Sequence, residues 1–275
     1  MPEGPEAKYL ATKMHNELHG KTLHSVSIIN GRYKKHGPPE NYNKFVATLP
    51  LKLERVYSKG KVIIFEYEKG WNIVSKLGLM GWWYTKDKPT WREPHPNVIF
   101  HFGTTGTNDL TYSDTLSYGT LSFINDPIKL QKELDQLGLD ILADDTTLTK
   151  FIHAFESLST VQKNKPIEEI ISDQQFAISG IGNYLKAEVL YASKISPKRK
   201  TGDISKTEYE HIYKATRKIA TAFLKALWHD LKKNKETYLS HFKVYRQEQD
   251  PLGNKVETYK NSKGRTTYWV SAIQK

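Results

Sequence analysis

The chain has 275 residues, no cysteine and a formal net charge of +11. Without cysteine it can hold neither disulfides nor thiolate-bound metals, so we expect an intracellular protein without a metal or other cofactor. No run of about 18 apolar residues provides a membrane span. The positive charge therefore favours nucleic acid as the partner over a membrane surface.

The chain begins Met1-Pro-Glu-Gly-Pro-Glu6. Proline in second position permits removal of Met1, which leaves a secondary amine that can attack an aldehyde carbon. The iminium so formed is an electron sink for chemistry at the neighbouring carbon. Glu3 stands beside this amine and could donate or accept protons. The alternative is an ordinary terminus ahead of an amphipathic helix.

The first half of the chain predicts one helix followed by many short strands. Tyr9, Leu10, Met14 and Leu18 form one apolar stripe, so residues 6–19 are expected to be helical. Short strands separated by turns predict a β-sandwich with this helix covering one face. The expected strands are residues 22–29, 51–57, 61–67, 71–75, 81–84, 97–102, 109–113 and 119–124.

The second half is predicted to be mainly helical and to end in a β-hairpin, so the fold class is α+β. Helices are expected at residues 147–157, 166–173, 184–193 and 205–233, the last opened by a capping box of Ser205 and Glu208. The predicted domains are a catalytic β-sandwich at 1–130, a linker at 131–147, a helical domain at 148–235 and a hairpin at 236–275.

Two internal motifs combine glycine with polar residues. Ser58-Lys-Gly-Lys61 precedes a strand, where the glycine permits a tight turn; a solvated basic hairpin is the ordinary interpretation. In Gln174-Gln-Phe-Ala-Ile-Ser-Gly-Ile-Gly-Asn183, the asparagine is expected at a helix N-terminus. Backbone amides and the helix dipole there predict a phosphate site. The alternative is a glycine-rich turn between two helices.

In this order, the motifs resemble those of the formamidopyrimidine-DNA glycosylase and endonuclease VIII family, whose members begin Met-Pro-Glu-Gly-Pro-Glu. The resemblance implies a helix-two-turns-helix domain and a bifunctional DNA glycosylase and AP lyase. It assigns catalysis to Pro2, Glu3 and Lys61, with Glu6 in support of them. Asn183 is then expected to contact the backbone of the damaged strand, and Lys59 to contact a phosphate.

The resemblance also implies side chains that fill the space left by an everted base. In Lys76-Leu-Gly-Leu-Met-Gly81, Leu79 stands at the family's methionine, with Met80 next to it, and the choice between them stays open. Asp114-Thr-Leu-Ser-Tyr-Gly119 is similar to Asp-Pro-Arg-Arg-Phe-Gly and places Leu116 and Tyr118 at the two inserting positions. An aliphatic Leu116 cannot read base edges, so opposite-base discrimination is expected to be weak. His95 is expected to contact a phosphate.

The C-terminal residues resemble a zinc finger of the same family from which the metal ligands are missing. Gly264-Arg-Thr-Thr-Tyr268 is retained, but the four cysteines are absent, and His241 alone cannot replace them. The resemblance therefore predicts a zincless finger, in which packing of Tyr245, Tyr268 and Trp269 would replace the stabilisation by the metal. Arg265 is expected to bind phosphates flanking the lesion.

The function expected from the resemblance is removal of oxidised pyrimidines, formamidopyrimidines and hydantoins by an endonuclease VIII-like enzyme. Its partner would be double-stranded DNA with a damaged base or AP site, bound by a monomer, and the use of single-stranded DNA stays open. The alternative is a non-catalytic nucleic-acid-binding protein that uses only the helix-two-turns-helix. Basic charge and Asn183 fit both, whereas Pro2, Glu3 and Lys61 fit only the enzyme.

Overall fold

The computed structural model describes residues 2–86, 95–103, 109–231 and 241–275. Within it, the chain divides into two compact units. The first contains Pro2, Glu6–Asp135 and Leu231, and the second contains Glu3–Pro5, Gln136–Asp230 and residues 241–275. The domain boundaries expected at residues 130, 147 and 235 stay a prediction.

The first unit contains two antiparallel sheets. One has the strand order β1-β3-β4-β5-β9 and the other β2-β7-β8-β6. The strands are β1 Thr22–Leu23, β2 Ser25–Ile28, β3 Leu51–Lys59, β4 Val62–Tyr67, β5 Asn72–Lys76, β6 Trp82–Tyr84, β7 Pro96–His101, β8 Leu110–Ser113 and β9 Thr120–Ile124.

The core of this unit lies between its two sheets. The Trp83 ring of β6 lies 4.8 Å from that of Phe65 in β4, and it also contacts Phe100 at 5.5 Å and Tyr112 at 5.0 Å. Its indole N–H donates to the Ser75 hydroxyl of β5 at 3.0 Å, so the polar atom of this buried ring is paired. The α+β fold and its N-terminal sandwich are confirmed.

The single strand expected at residues 22–29 is instead two strands in different sheets. Residues of β1 pair with Leu51 and Lys52, whereas β2 pairs with Val98–His101. His24 stands between them, and its N–H bonds to the His101 carbonyl at 2.9 Å. A continuous β-type composition does not reveal such a crossing, because both segments satisfy the same local pattern.

Helices cover parts of the first unit. Helix α1, Gly4–Leu18, was expected, and its His15 ring accepts a bond from the N–H of Val56 at 3.3 Å. Helices α2, Gly31–His36, and α3, Tyr42–Ala47, were not expected, because each has only six residues and begins after a turn-forming asparagine. Helix α4, Pro127–Asp135, ends this unit.

The second unit is mainly helical, as expected. Ser205 and Glu208 form the expected capping box, with N–H contacts of 2.8 and 3.3 Å. A short parallel pair, β10 Leu139–Asp140 with β11 Ile178–Ser179, was missed because each strand has two residues. The helices are α5 Leu148–Glu156, α6 Thr160–Lys163, α7 Ile167–Ser172, α8 Asn183–Ala192 and α9 Lys206–Leu231.

The C-terminal hairpin pairs β12, Glu257–Lys260, with β13, Thr266–Trp269. Beneath it, Val244, Val256 and Val270 form a buried cluster with Ala187 of α8. The Tyr245 and Tyr268 rings, 5.1 Å apart, pack against this cluster. No described helix is both long and apolar enough to cross a membrane.

Candidate functional site

The carboxylate of Glu3 lies at the N-terminus of α8. It accepts hydrogen bonds from the backbone N–H groups of Gly182 at 2.7 Å, Tyr184 at 2.8 Å and Leu185 at 3.2 Å. The glutamate is 1% exposed. These donors have no partner inside the helix, and the helix dipole adds to their attraction for an anion. The expected phosphate site on these amides is thus occupied by the chain's own carboxylate.

Glycines allow this close approach of the N-terminal segment to the α8 turn. A Cβ atom on Gly182 would lie 2.4 Å from Cδ of Glu3, closer than any real contact allows. The Gly4 N–H donates to the Gly180 carbonyl at 2.7 Å, and a Cβ on Gly4 would lie 3.0 Å from that oxygen. The N-terminal hexapeptide and the glycine motif before α8, which resemble the family most strongly, are therefore in direct contact.

Pro2 and Glu6 flank this contact along the chain, and both are buried. Pro2 is joined to Glu3 by a peptide bond, so the proposed nucleophile and the carboxylate belong to consecutive residues. Glu6 lies in the first turn of α1 and is 3% exposed. Their expected roles as nucleophile and supporting carboxylate stay predictions.

The basic motif forms the turn of the β3–β4 hairpin. Lys59 pairs with Val62, so Gly60 and Lys61 are the two loop residues. Gly60 has φ of 56°, as the first position of a type II′ turn requires. Lys61 is half-buried at the end of the hairpin, and its catalytic role stays a prediction. The Lys59 ammonium donates to the Leu134 carbonyl at 2.7 Å, a structural contact at the end of α4; its phosphate contact stays a prediction.

The four candidate inserting residues are all exposed at loops of the first unit. The exposed fractions are 38% for Leu79, 37% for Met80, 46% for Leu116 and 63% for Tyr118. Large apolar side chains in such positions suit contact with a partner more than they suit folding. The near-equal exposure of Leu79 and Met80 leaves the choice between them open.

The loops that carry these residues are packed against each other. A Cβ on Gly78 would lie 2.7 Å from the Gly119 nitrogen, so the two backbones are in contact. The buried Asp114 carboxylate accepts from the N–H of Gly119 at 2.7 Å and of Leu116 at 3.2 Å. Its own N–H donates to the Asn97 side chain. The resemblance placed Asp114 in the motif of residues 114–119 but did not predict that its carboxylate binds the backbone of that loop.

His95, Asn183 and Arg265 are the remaining candidates for phosphate contacts. His95 is half-buried, and its backbone N–H donates to the Ser113 hydroxyl at 2.9 Å. Asn183 is the first residue of α8, as expected, and its side-chain N–H donates to the Thr266 carbonyl of β13 at 3.0 Å. Arg265 is exposed at the hairpin turn. These assignments to DNA stay predictions.

Sequence reasoning assigned no role to two buried carboxylates that bond to the C-terminal segment of the chain. Glu188 of α8 accepts from the N–H groups of Lys243, Val244 and Tyr245 at 2.9–3.1 Å. Burial raises the pKa of Glu188, and these amide bonds oppose the rise. The second is Glu168, which pairs with Lys186. Charged residues within apolar helical stretches were the signal that could have found both.

No group of three or more acidic or histidine side chains that could hold a metal ion occurs among the residues described.

Comparison with known proteins gives consistent matches along the chain. Family models of formamidopyrimidine-DNA glycosylase match its N-terminal domain at residues 1–121, its H2TH domain at 137–232 and its C-terminal domain at 230–275. Formamidopyrimidine-DNA glycosylase from Bacillus cereus is 27% identical over 219 residues, covering 78% of this chain and 75% of that protein. The Mycoplasma mobile protein of the same name is 26% identical over 283 residues, covering 100% and 99%.

Solved structures share the fold. MutM in complex with DNA containing carbocyclic 8-oxo-G has a TM-score of 0.80 at 20% identity, with both chains covered completely. Lactococcus lactis Fpg in complex with DNA containing an abasic site has a TM-score of 0.80 at 20% identity, with 99% of both chains covered. With its three domain models matched in chain order, the protein belongs to the formamidopyrimidine-DNA glycosylase family.

Proposed function

We propose that this protein is a bifunctional DNA glycosylase and AP lyase of base-excision repair that uses the amine of Pro2 as its nucleophile. The observation that carries the proposal is the Glu3 carboxylate, which three backbone amides of α8 hold in the residue that directly follows Pro2. A DNA-binding protein without catalysis has no need of a buried carboxylate beside an N-terminal proline. The rival non-catalytic function therefore explains less of the structure.

DNA glycosylase activity is the general function of the family to which the chain belongs. Its solved structural neighbours are bound to DNA that contains a damaged base or an abasic site. The net charge of +11 supports the same partner. We therefore propose damaged double-stranded DNA as the substrate, bound by a monomer.

The proposed reaction begins when the Pro2 nitrogen attacks C1′ of the damaged nucleotide. The bond from C1′ to the base breaks, and the departing base takes up the proton that the Pro2 nitrogen loses. The C1′–O4′ bond then breaks as O4′ takes up a proton, which opens the sugar and leaves it joined to Pro2 by an iminium. This positive charge acidifies C2′, whose proton is removed as the 3′-phosphate departs. A second elimination releases the 5′-phosphate. The half-buried Lys61 is proposed to assist the proton transfers.

The contacts of Glu3 refine its proposed role. The backbone partners of Glu3 at Gly182, Tyr184 and Leu185 are N–H donors. Such donors stabilise the ionised carboxylate relative to the carboxylic acid. In this position Glu3 is suited to remain ionised and to stabilise positive charge that develops on the sugar as the base leaves. Donation of a proton to the ring oxygen, the role implied by the family resemblance, would require Glu3 to leave at least one of these amides.

We place the enzyme in the endonuclease VIII-like branch of the family. Leu116 occupies the place of the family's base-reading arginine, and it is exposed at its loop. An aliphatic side chain cannot form the hydrogen bonds that distinguish bases. Oxidised pyrimidines, formamidopyrimidines and hydantoins are the proposed substrates. 8-Oxoguanine should be excised poorly, because the short sequence between α9 and Phe242 leaves little room for a capping loop.

Borohydride trapping on AP-site DNA tests the proposed function. Hydride reduces the iminium to a stable amine, so we expect a covalent complex of protein and DNA on a denaturing gel. Duplex DNA with an intact sugar and an undamaged base is the matched control and should give none. Binding to both duplexes without any trapped complex would favour the non-catalytic alternative.

Arg265 and Asn183 should differ in how salt affects DNA binding. Arg265→Ala should weaken binding to every lesion duplex alike and reduce the salt slope by about one unit, because one phosphate contact is lost. Asn183→Ala should weaken binding without changing the slope, because the side chain is neutral. Affinities measured over a range of salt concentrations check both, with Lys214→Ala on α9 as a control for simple loss of charge. If Arg265→Ala weakened binding to only one kind of lesion duplex, the result would show that the hairpin reads bases.

A further inference from the structure

A lysine and a glutamate form an ion pair in the interior of the second unit. Lys186 lies in the middle of α8 and Glu168 in α7, and they are 1% and 2% exposed. The Lys186 Nζ atom is 2.8 Å from Oε2 of Glu168. Removing two charges from water costs several kcal/mol per ion before their attraction offsets it. An apolar pair of similar volume would serve stability as well, so the charges need another explanation.

The remaining hydrogen-bonding atoms of the pair are directed at the C-terminal hairpin. The Lys186 ammonium donates to the Thr267 hydroxyl of β13 at 2.8 Å, and that hydroxyl donates to Glu168. The Tyr259 hydroxyl of β12 donates to Glu168 Oε1 at 2.6 Å. The Asn261 side chain, in the turn, contacts Glu168 Oε2 at 3.4 Å. Both strands and the turn are therefore bonded to this one pair.

The surroundings of the pair favour the ionised form of Glu168, whereas burial lowers the pKa of Lys186 and the Glu168 carboxylate opposes that lowering. Burial by itself would raise the pKa of Glu168, but the Lys186 ammonium and the hydroxyls of Thr267 and Tyr259 together lower it below its ordinary value. Charge-assisted bonds of this kind are stronger and more directional than apolar contacts. They define one position for the hairpin, whereas contacts among valines tolerate small shifts.

We propose that the Glu168–Lys186 pair is a positioning device that fixes the hairpin against α7 and α8 and thereby places Arg265 for DNA binding. The pair would hold the hairpin in position, as a bound metal does in a zinc finger. Arg265 lies in the turn between Asn261 and Thr267, both of which contact the pair. The adjacent Thr266 carbonyl is bonded to Asn183 at the start of α8. The effect on DNA rests on the proposed function, whereas the effect on the hairpin does not.

Hydrogen exchange and DNA binding test this proposal in two variants. Lys186→Met leaves the buried Glu168 carboxylate without its ammonium partner, so we expect this variant to be less stable than the double variant. The double variant Glu168→Gln/Lys186→Met removes both charges and retains most of the volume, so it should fold. Lys150→Met is the matched control, because its ion pair with Asp145 is exposed and lies in the same unit.

In the double variant we expect amide exchange of residues 257–260 and 266–269 to accelerate at least tenfold, with α8 and α9 unchanged. Binding to a duplex containing a tetrahydrofuran abasic site should weaken about tenfold, with the reduced salt slope of Arg265→Ala. Strand cleavage of AP-site DNA at saturating protein should stay within about threefold, since a positioning residue acts on binding. The Lys150→Met control should match the unmodified protein in every measurement.

Two results would overturn the proposal. One is hairpin exchange and duplex binding within twofold of the unmodified protein in the double variant, which would mean that apolar packing suffices. The other is faster exchange spread evenly over the whole second unit, which would mean that the pair supports general stability. Faster hairpin exchange in a protein that gives no borohydride-trapped complex would support the positioning role and overturn only the proposed enzyme function.

Discussion

A variant in which one uncleaved residue precedes Pro2 should form no borohydride-trapped complex with AP-site DNA. Its Pro2 nitrogen is then an amide, whose lone pair is delocalised into the carbonyl and cannot attack C1′. Pro2→Gly should also lose most of the trapped complex, because the primary amine gives an imine that carries charge only when protonated. The quantity measured is the fraction of DNA shifted on a denaturing gel.

Two controls keep this result interpretable. The extended variant should still bind a tetrahydrofuran duplex, which would show that it is folded. Lys61→Ala should still form a trapped complex, although more slowly, because Lys61 is proposed to assist and not to attack. Undiminished trapping by the extended variant would move the nucleophile to Lys61 or another lysine.

The sequence was most informative where chemistry requires particular residues at particular spacings. The N-terminal hexapeptide and the glycines at 180 and 182 were both identified from motifs, and the structure brings Gly4 and Gly180 into contact. Most strands of the sandwich were also predicted, since each is a short apolar run bounded by turns. What these local patterns could not provide was the partner of each segment, as the division of residues 22–29 between two sheets illustrates.

The polar interactions inside the second unit could not be predicted, because they join residues far apart in the chain. Glu3 bonds to amides about 180 residues away, and Glu168 bonds to Thr267 across 99 residues. In the sequence, Glu168 and Lys186 stand within apolar helical stretches, which indicates burial but does not reveal their partners. Only the fold reveals that the α8 amides hold Glu3 and that the hairpin is bonded to a buried ion pair.

The substitution Gly182→Ala should slow base excision as the removal of Glu3 would, although the carboxylate itself is retained. The added Cβ would lie 2.4 Å from Cδ and 2.5 Å from Oε1 of Glu3, so the carboxylate must leave its amides. Gly182 has φ of −122°, outside the left-handed region that favours glycine, so the contact with Glu3 is the main effect of the added Cβ. A displacement of about 1 Å can cost about a hundredfold in rate. We expect a loss of that size in base excision.

The loss should be much smaller for strand cleavage at a preformed AP site, where no glycosidic bond needs to break, and Glu3→Gln should show the same division. Single-turnover rates on a lesion duplex and on an AP-site duplex measure both steps. Gly202→Ala is the matched control in the same unit, because its Cβ would approach no atom more closely than 3.2 Å, the distance to Cβ of Lys163. Base excision at the normal rate in Gly182→Ala would mean that the α8 amides do not hold Glu3 in its working position. Equal losses on both substrates would mean that Glu3 acts in iminium formation itself, and the division of labour proposed between Pro2 and Glu3 would be wrong.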